Sequence, residues 1–126
     1  LKLGYEVLQG DGVSSFKTPL ATLHAFQGFT DKFLVTPPNG IEDLYMKASY
    51  KVPEGSLKGL MVRAHYHDFQ AENGGMDYGS EWSAKVAKSF KTDFGKIALS
   101  IEHANYDADG FSVDTAKTWM TVGLSY

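Results

Sequence analysis

The sequence predicts an all-β fold: an antiparallel up-and-down meander of about six strands forming the C-terminal part of a transmembrane β-barrel, with one long, partly helical loop. Three observations predict it. Amphipathic segments of roughly ten residues recur along the chain. They are joined alternately by very short turns and longer polar loops, as in outer-membrane barrels, where the two kinds lie on opposite sides of the membrane. Within each segment one parity is mostly apolar and the other polar or small, the period-2 pattern of a strand with two unlike faces.

A first strand covers about residues 2–8. Segment 9–40 follows, longer than the roughly 12–15 residues that structureless loops usually reach. Thr18 before Pro19 reads as a helix N-cap with Pro at the first helical position, and Leu20, Leu23, Phe26 and Phe33 fall on one apolar stripe. A helical stretch is therefore expected over 18–33. Gly28 weakens its middle, and Thr36-Pro37-Pro38-Asn39-Gly40 ends it. The segment reads either as a helix on the barrel rim or as a loop folded over or into the lumen as a constriction.

Strand 41–52 sets Leu44, Met46, Ala48, Tyr50 and Val52 against Asp43, Tyr45, Lys47, Ser49 and Lys51. After the turn Pro53-Glu54-Gly55-Ser56, strand 57–69 sets Leu60, Val62, Ala64 and Tyr66 against Arg63, His65 and His67. Loop 70–79 leads to strand 80–90, where Trp82, Ala84, Val86 and Phe90 oppose Glu81, Ser83, Lys85 and Ser89. Lys88 breaks this pattern near the strand end, where its stem can snorkel to the interface. The tight turn 91–95 precedes strand 96–106, with Ile97, Leu99 and Ile101 opposed by Ser100 and Glu102. Loop 107–114 then leads to strand 116–126, which sets Met120, Val122, Leu124 and Tyr126 against Lys117, Trp119, Thr121 and Ser125. Leu60, Val62, Met120, Val122 and Leu124 are expected to face hydrocarbon, and Arg63, Lys85 and Glu102 a water-filled interior. The same alternation also fits a soluble small β-barrel or sandwich acting as a ligand-binding module, with its apolar face inside.

Composition narrows the classes. A chain of 126 residues that is 43% hydrophobic suits a folded domain rather than a disordered tail. About six strands fall short of the eight in the smallest outer-membrane barrels. The chain begins at Leu1 without initiator Met or signal peptide, so it is expected to be the C-terminal piece of a longer polypeptide whose N-terminal strands pair with its first strand. No apolar run reaches roughly 18 residues, which excludes a spanning helix but not a barrel. The absence of Cys removes disulfide frameworks and thiolate metal sites. A formal net charge of −3 offers no electrostatic case for nucleic acid.

The stretch Gly4-Tyr5-Glu6-Val7-Leu8 with Gly10-Asp11-Gly12, then Thr18-Pro19-Leu20-Ala21-Thr22-Leu23-His24-Ala25-Phe26, Asp31-Lys32-Phe33 and Asn39-Gly40-Ile41-Glu42-Asp43, resembles the C-terminal region of the alginate-export family of outer-membrane porins. His67-Asp68-Phe69, Asp77-Tyr78-Gly79-Ser80-Glu81-Trp82 and Tyr106-Asp107-Ala108-Asp109-Gly110-Phe111 extend the resemblance over most of the chain. The loop motif is its more specific part. The resemblance implies a large single-chain barrel in the Gram-negative outer membrane that passes a solute by diffusion. It does not carry over a catalytic residue or fix alginate as the solute.

Chemistry-bearing residues point the same way. His65-x-His67 puts two imidazoles on one strand face, a spacing some metal sites use, but further ligands such as Glu81, Glu102 or Asp68 would have to converge. Polar lining of the lumen is the preferred reading. Asp107-Ala108-Asp109-Gly110 followed by Asp114 resembles a calcium loop but lacks EF-hand spacing, and its default reading is an exposed turn. There is no Gly-x-Ser-x-Gly elbow and no phosphate-binding Gly motif, so no enzyme and no cofactor is expected. What remains is a face bearing Lys47, Lys51, Arg63, Lys85 and Lys117, interleaved with Asp43, Glu81 and Glu102 and with Tyr45 and Trp119. Cations in a wet lumen attract an anionic polysaccharide or other solute and aromatic rings stack on sugars, so contact is expected there. The alternative is that these charges keep the lumen wet and cross-braced. The alternating end, Trp119 to Tyr126, resembles the terminal strand by which barrel assembly machinery recognises outer-membrane proteins.

Overall fold

The computed structural model describes residues 1–17 and 27–126. Six strands follow one another in the chain: β1 (Lys2–Leu8), β2 (Ile41–Lys51), β3 (Met61–Gln70), β4 (Asp77–Thr92), β5 (Gly95–Ala108) and β6 (Thr115–Ser125). They form one open sheet in the order β1-β2-β3-β4-β5-β6, and every neighbouring pair is antiparallel. The meander follows from connections that return each strand beside the one before it.

Strand boundaries depart from the alternation in several places; β5, for one, runs two residues past 106, so the loop expected over 107–114 spans 109–114. Residues 57–60 do not extend β3, although Leu57 and Leu60 suit a strand. Lys58 N–H donates to Gly55 O at 3.1 Å and Leu60 N–H to Leu57 O at 2.9 Å, which closes two successive turns, and the strand starts at Met61. The turn after β4 is shorter than 91–95. Lys91 pairs with Lys96 and Thr92 with Gly95, which leaves Asp93-Phe94 as a two-residue hairpin turn. β4 also begins earlier, at Asp77, so the connection from β3 shrinks to 71–76.

Of the helix expected over 18–33, residues 18–26 lie outside the described residues. Residues 27–33 are turns and bends, because Gln27, Gly28 and Asp31 take positive φ of 48°, 87° and 62°, which a right-handed helix excludes. Among the described residues there is no helix.

Register places the side chains on two unlike faces. One face carries the rows Tyr45–His67–Glu81–Tyr106–Thr115, Lys47–His65–Ser83–Ala104–Lys117 and Ser49–Arg63–Lys85–Glu102–Trp119. The other carries Tyr50–Val62–Val86–Ile101–Met120, with Leu99–Val122 and Ile97–Leu124 beyond it. The apolar face lies open, with Met120 82% and Leu124 72% exposed. Residues 27–33 cover the polar face at the end where the longer connections gather. There Phe33, Ile41, Phe69, Ala71, Tyr78 and Tyr106 form the small buried core, with Leu8, Ala108 and Phe111 against it. Phe33 is its hub, 4.6 Å from Phe69 and stacked on Phe111 at 5.1 Å between ring centres.

Candidate functional site: a polar sheet face under a docked loop

Glu81 anchors the loop. Its carboxylate is 1% exposed and accepts the backbone N–H of Phe29, the N–H of Thr30 at 2.9 Å, and the Thr30 hydroxyl. Gln27, Gly28 and Asp31 with positive φ fold the backbone so that successive N–H groups converge on one anion, a concavity that suits a carboxylate. Gly28 is required there twice over. Its φ is +87°, and a Cβ would stand 2.6 Å from Glu81 Oε2.

Three further side chains hold the same loop. Gln27 Nε2 donates to Glu6 Oε2 at 2.8 Å, which ties the loop to β1. Lys117 on β6 donates to Thr30 O and to Asp31 Oδ2, the latter at 3.1 Å. Lys32 Nζ reaches Ser112 Oγ at 3.1 Å and lies 5.4 Å above the Tyr106 ring. The Phe29 ring sits 5.5 Å from His65 and 6.5 Å from Trp119. The loop therefore bridges β1 to β6 over the polar face.

Beneath it, His67 Nδ1 stands 2.9 Å from both oxygens of Asp43, and the two residues are 2% and 1% exposed. His67 also stacks between Tyr45 and Phe69, each 5.5 Å away. His65 turns its Nδ1 into buried space without a hydrogen-bond partner among the described residues. The two histidines thus have different surroundings despite sharing a face. Among the described residues no three His, Asp or Glu side chains converge in a way that would hold a metal ion.

The basic residues divide into engaged and free ones. Lys85 pairs with Glu102 at 2.9 Å and Lys117 is taken up by the loop. Lys47 lies 4.5 Å over the Tyr45 ring. Among the described residues Lys51 and Arg63 make no ion pair, and both are exposed. Along the strands the charges are sorted. Asp43 and Glu81 lie under the loop, while Lys47, Arg63, Lys85 and Lys51 lie beyond it toward the short turns, with Glu102 among them.

Sequence reasoning placed Lys47, Lys51, Arg63, His65, His67, Lys85, Glu102, Lys117 and Trp119 on one face, and the register puts them there together. It missed Gln27, Phe29, Thr30 and Asp31, whose positions depend on a contact with Glu81 some fifty residues away. Gly28 was the available signal, since a glycine in a segment otherwise suited to helix often marks positive φ.

Comparison of the chain with protein-family models, with curated proteins and with solved structures returns no match.

Proposed function

We propose that this chain forms part of the wall of a transmembrane β-barrel in the Gram-negative outer membrane, of the alginate-export kind, through which a solute passes by diffusion. The observation that carries the reading is which face of the sheet is covered. A water-soluble sandwich hides its apolar face and wets its polar one. Here Asp43, His67, Glu81 and Glu102 are buried, while Met46, Trp82, Ile101, Met120, Val122 and Leu124 stand exposed. Soluble monomers rarely expose contiguous apolar patches beyond a few hundred Å². Lipid turns that exposure from a cost into a gain.

Two further features support it. Trp82 and Phe90 bracket the apolar band of β4, and eight residues span about 26 Å along a strand, or about 20 Å along the membrane normal at a barrel's tilt. That fits within the ~25 Å apolar belt of outer-membrane barrels. Lys88, the charge in this band, reaches sideways to Ser56 O at 3.3 Å in the neighbouring turn, as a snorkelling lysine does.

On this reading the outer sides of β1 and β6 pair with other strands of the same polypeptide, because unpaired backbone facing lipid is prohibitively costly. Barrel assembly machinery inserts the protein, and the loop at 27–33 narrows the passage. The solute is an anionic polysaccharide or sugar, drawn by Lys47, Lys51 and Arg63 beyond the loop and stacked on the aromatic ring of Trp119. A soluble binding module would need a second layer over the apolar face, and no described residue supplies one.

Fractionation of cells making the full-length protein tests the reading. It should sediment with the outer membrane, require detergent for extraction, migrate faster unheated than boiled, and produce conductance steps in planar bilayers. Recovery as a detergent-free soluble monomer would remove the porin reading.

A further inference from the structure

The apolar face is not uniform. Between β4, β5 and β6 runs a groove of about 370 Å³, walled by Leu60, Val86, Leu99, Ile101, Met120 and Val122. Lys88 stands at its edge, half-buried, and is the one Lys or Arg that register places on this face among the described strand residues. Its ammonium has three donors. One goes to Ser56 O, and the Phe90 ring lies 5.4 Å away, so further donors remain for an anion.

The short-turn end of the sheet leans basic, although register turns Lys91 and Lys96 to the other face. Lys58, Lys91 and Lys96 lie at this end of the sheet against Glu54 and Asp93, whereas the opposite end bears Asp68, Glu72, Asp107 and Asp109. A cation at the mouth of an apolar groove, at the basic end of the sheet, matches a molecule with an anionic head and an apolar tail.

We propose that this groove binds one anionic phospholipid, with the phosphate on Lys88 and an acyl chain along Val86, Leu99 and Val122. The inference rests on the membrane reading above. It goes further in assigning a specific lipid site to one residue, where that reading needs only a general apolar belt.

Native mass spectrometry of the full-length protein tests it, after folding in mixed vesicles of phosphatidylglycerol and phosphatidylcholine and release in mild detergent. The wild type should retain one phosphatidylglycerol with about fivefold preference over phosphatidylcholine, the effect of one lysine at a membrane surface. K88M should fold equally well, judged by heat-modifiable migration, and lose the preference. K88R should keep it. Equal retention of both lipids by the wild type, or an unchanged preference in K88M, overturns the site while leaving the membrane reading intact. A wild type that fails to fold into vesicles at all overturns both.

Discussion

Glu81, the fifth residue of β4, accepts the backbone N–H of Thr30 at 2.9 Å, and this contact between residues 51 positions apart fastens the longest connection of the chain onto the polar face of the sheet. The acceptor is a buried carboxylate with three donors from one loop. Bonds of this charge-assisted kind are roughly twice as strong as neutral ones.

Glu81→Ala should therefore release the loop. With the N–H groups of Phe29 and Thr30 left without their acceptor, local stability is expected to fall by about 2–4 kcal/mol. Hydrogen exchange at those two amides checks this, and Glu81→Gln, which keeps one acceptor oxygen, should lose less. If the loop narrows the passage, single-channel conductance should rise in the same order.

Gly28→Ala should act on the same contact from the other side. The new Cβ meets Glu81 Oε2 at 2.6 Å, and the backbone stays at a φ that side chains disfavour. The expected cost is about 1–3 kcal/mol, read as faster exchange at Thr30 and earlier protease cleavage near residue 28. Gly55→Ala is the comparison: its φ is also positive at +81°, but nothing lies within 4 Å of its Cβ, so it should cost less and leave the loop closed.

Asp43→Ala should destabilise the sheet beneath the loop. It removes the partner of His67, a residue 2% exposed, and leaves its Nδ1–H without an acceptor, at a cost of about 1–3 kcal/mol. Asp43→Asn, which keeps an acceptor, should recover part of the loss in urea unfolding.

How far the sequence foretold this depends on distance along the chain. Alternation set the face of each strand residue, so partners such as Lys85 and Glu102, 17 positions apart on adjacent strands, were implied once the strands paired. Boundaries were harder, because Leu57 and Leu60 suit a strand and only the glycines at 55 and 59, both with φ of 81°, divert the chain into turns. A loop folded over the lumen was one of two readings of segment 9–40, but the contacts that dock it were out of reach. The pattern at 18–33 is helical by spacing, while Gln27 and Asp31 adopt left-handed backbone because Glu6, Glu81 and Lys117 hold them there. That is a tertiary effect, and local propensity does not encode it.

Neutralising the free cations should change selectivity without unfolding the sheet. Lys51→Gln with Arg63→Gln removes two exposed charges that form no ion pair among the described residues. In planar bilayers the preference for anions over cations should drop by up to about tenfold, with melting unchanged. Altering Lys117, which the loop occupies, should instead change conductance.

The most direct measurement is cysteine scanning of the full-length protein in intact membranes, with any Cys outside residues 1–126 replaced first, since these residues contain none. Single cysteines at Val62, Ile101 and Met120 should resist an impermeant aqueous maleimide and react with a lipid-soluble one, while those at Arg63, Lys85 and Trp119 should react with the aqueous reagent. Ready aqueous labelling of the first set, with protection of the second, would contradict the account.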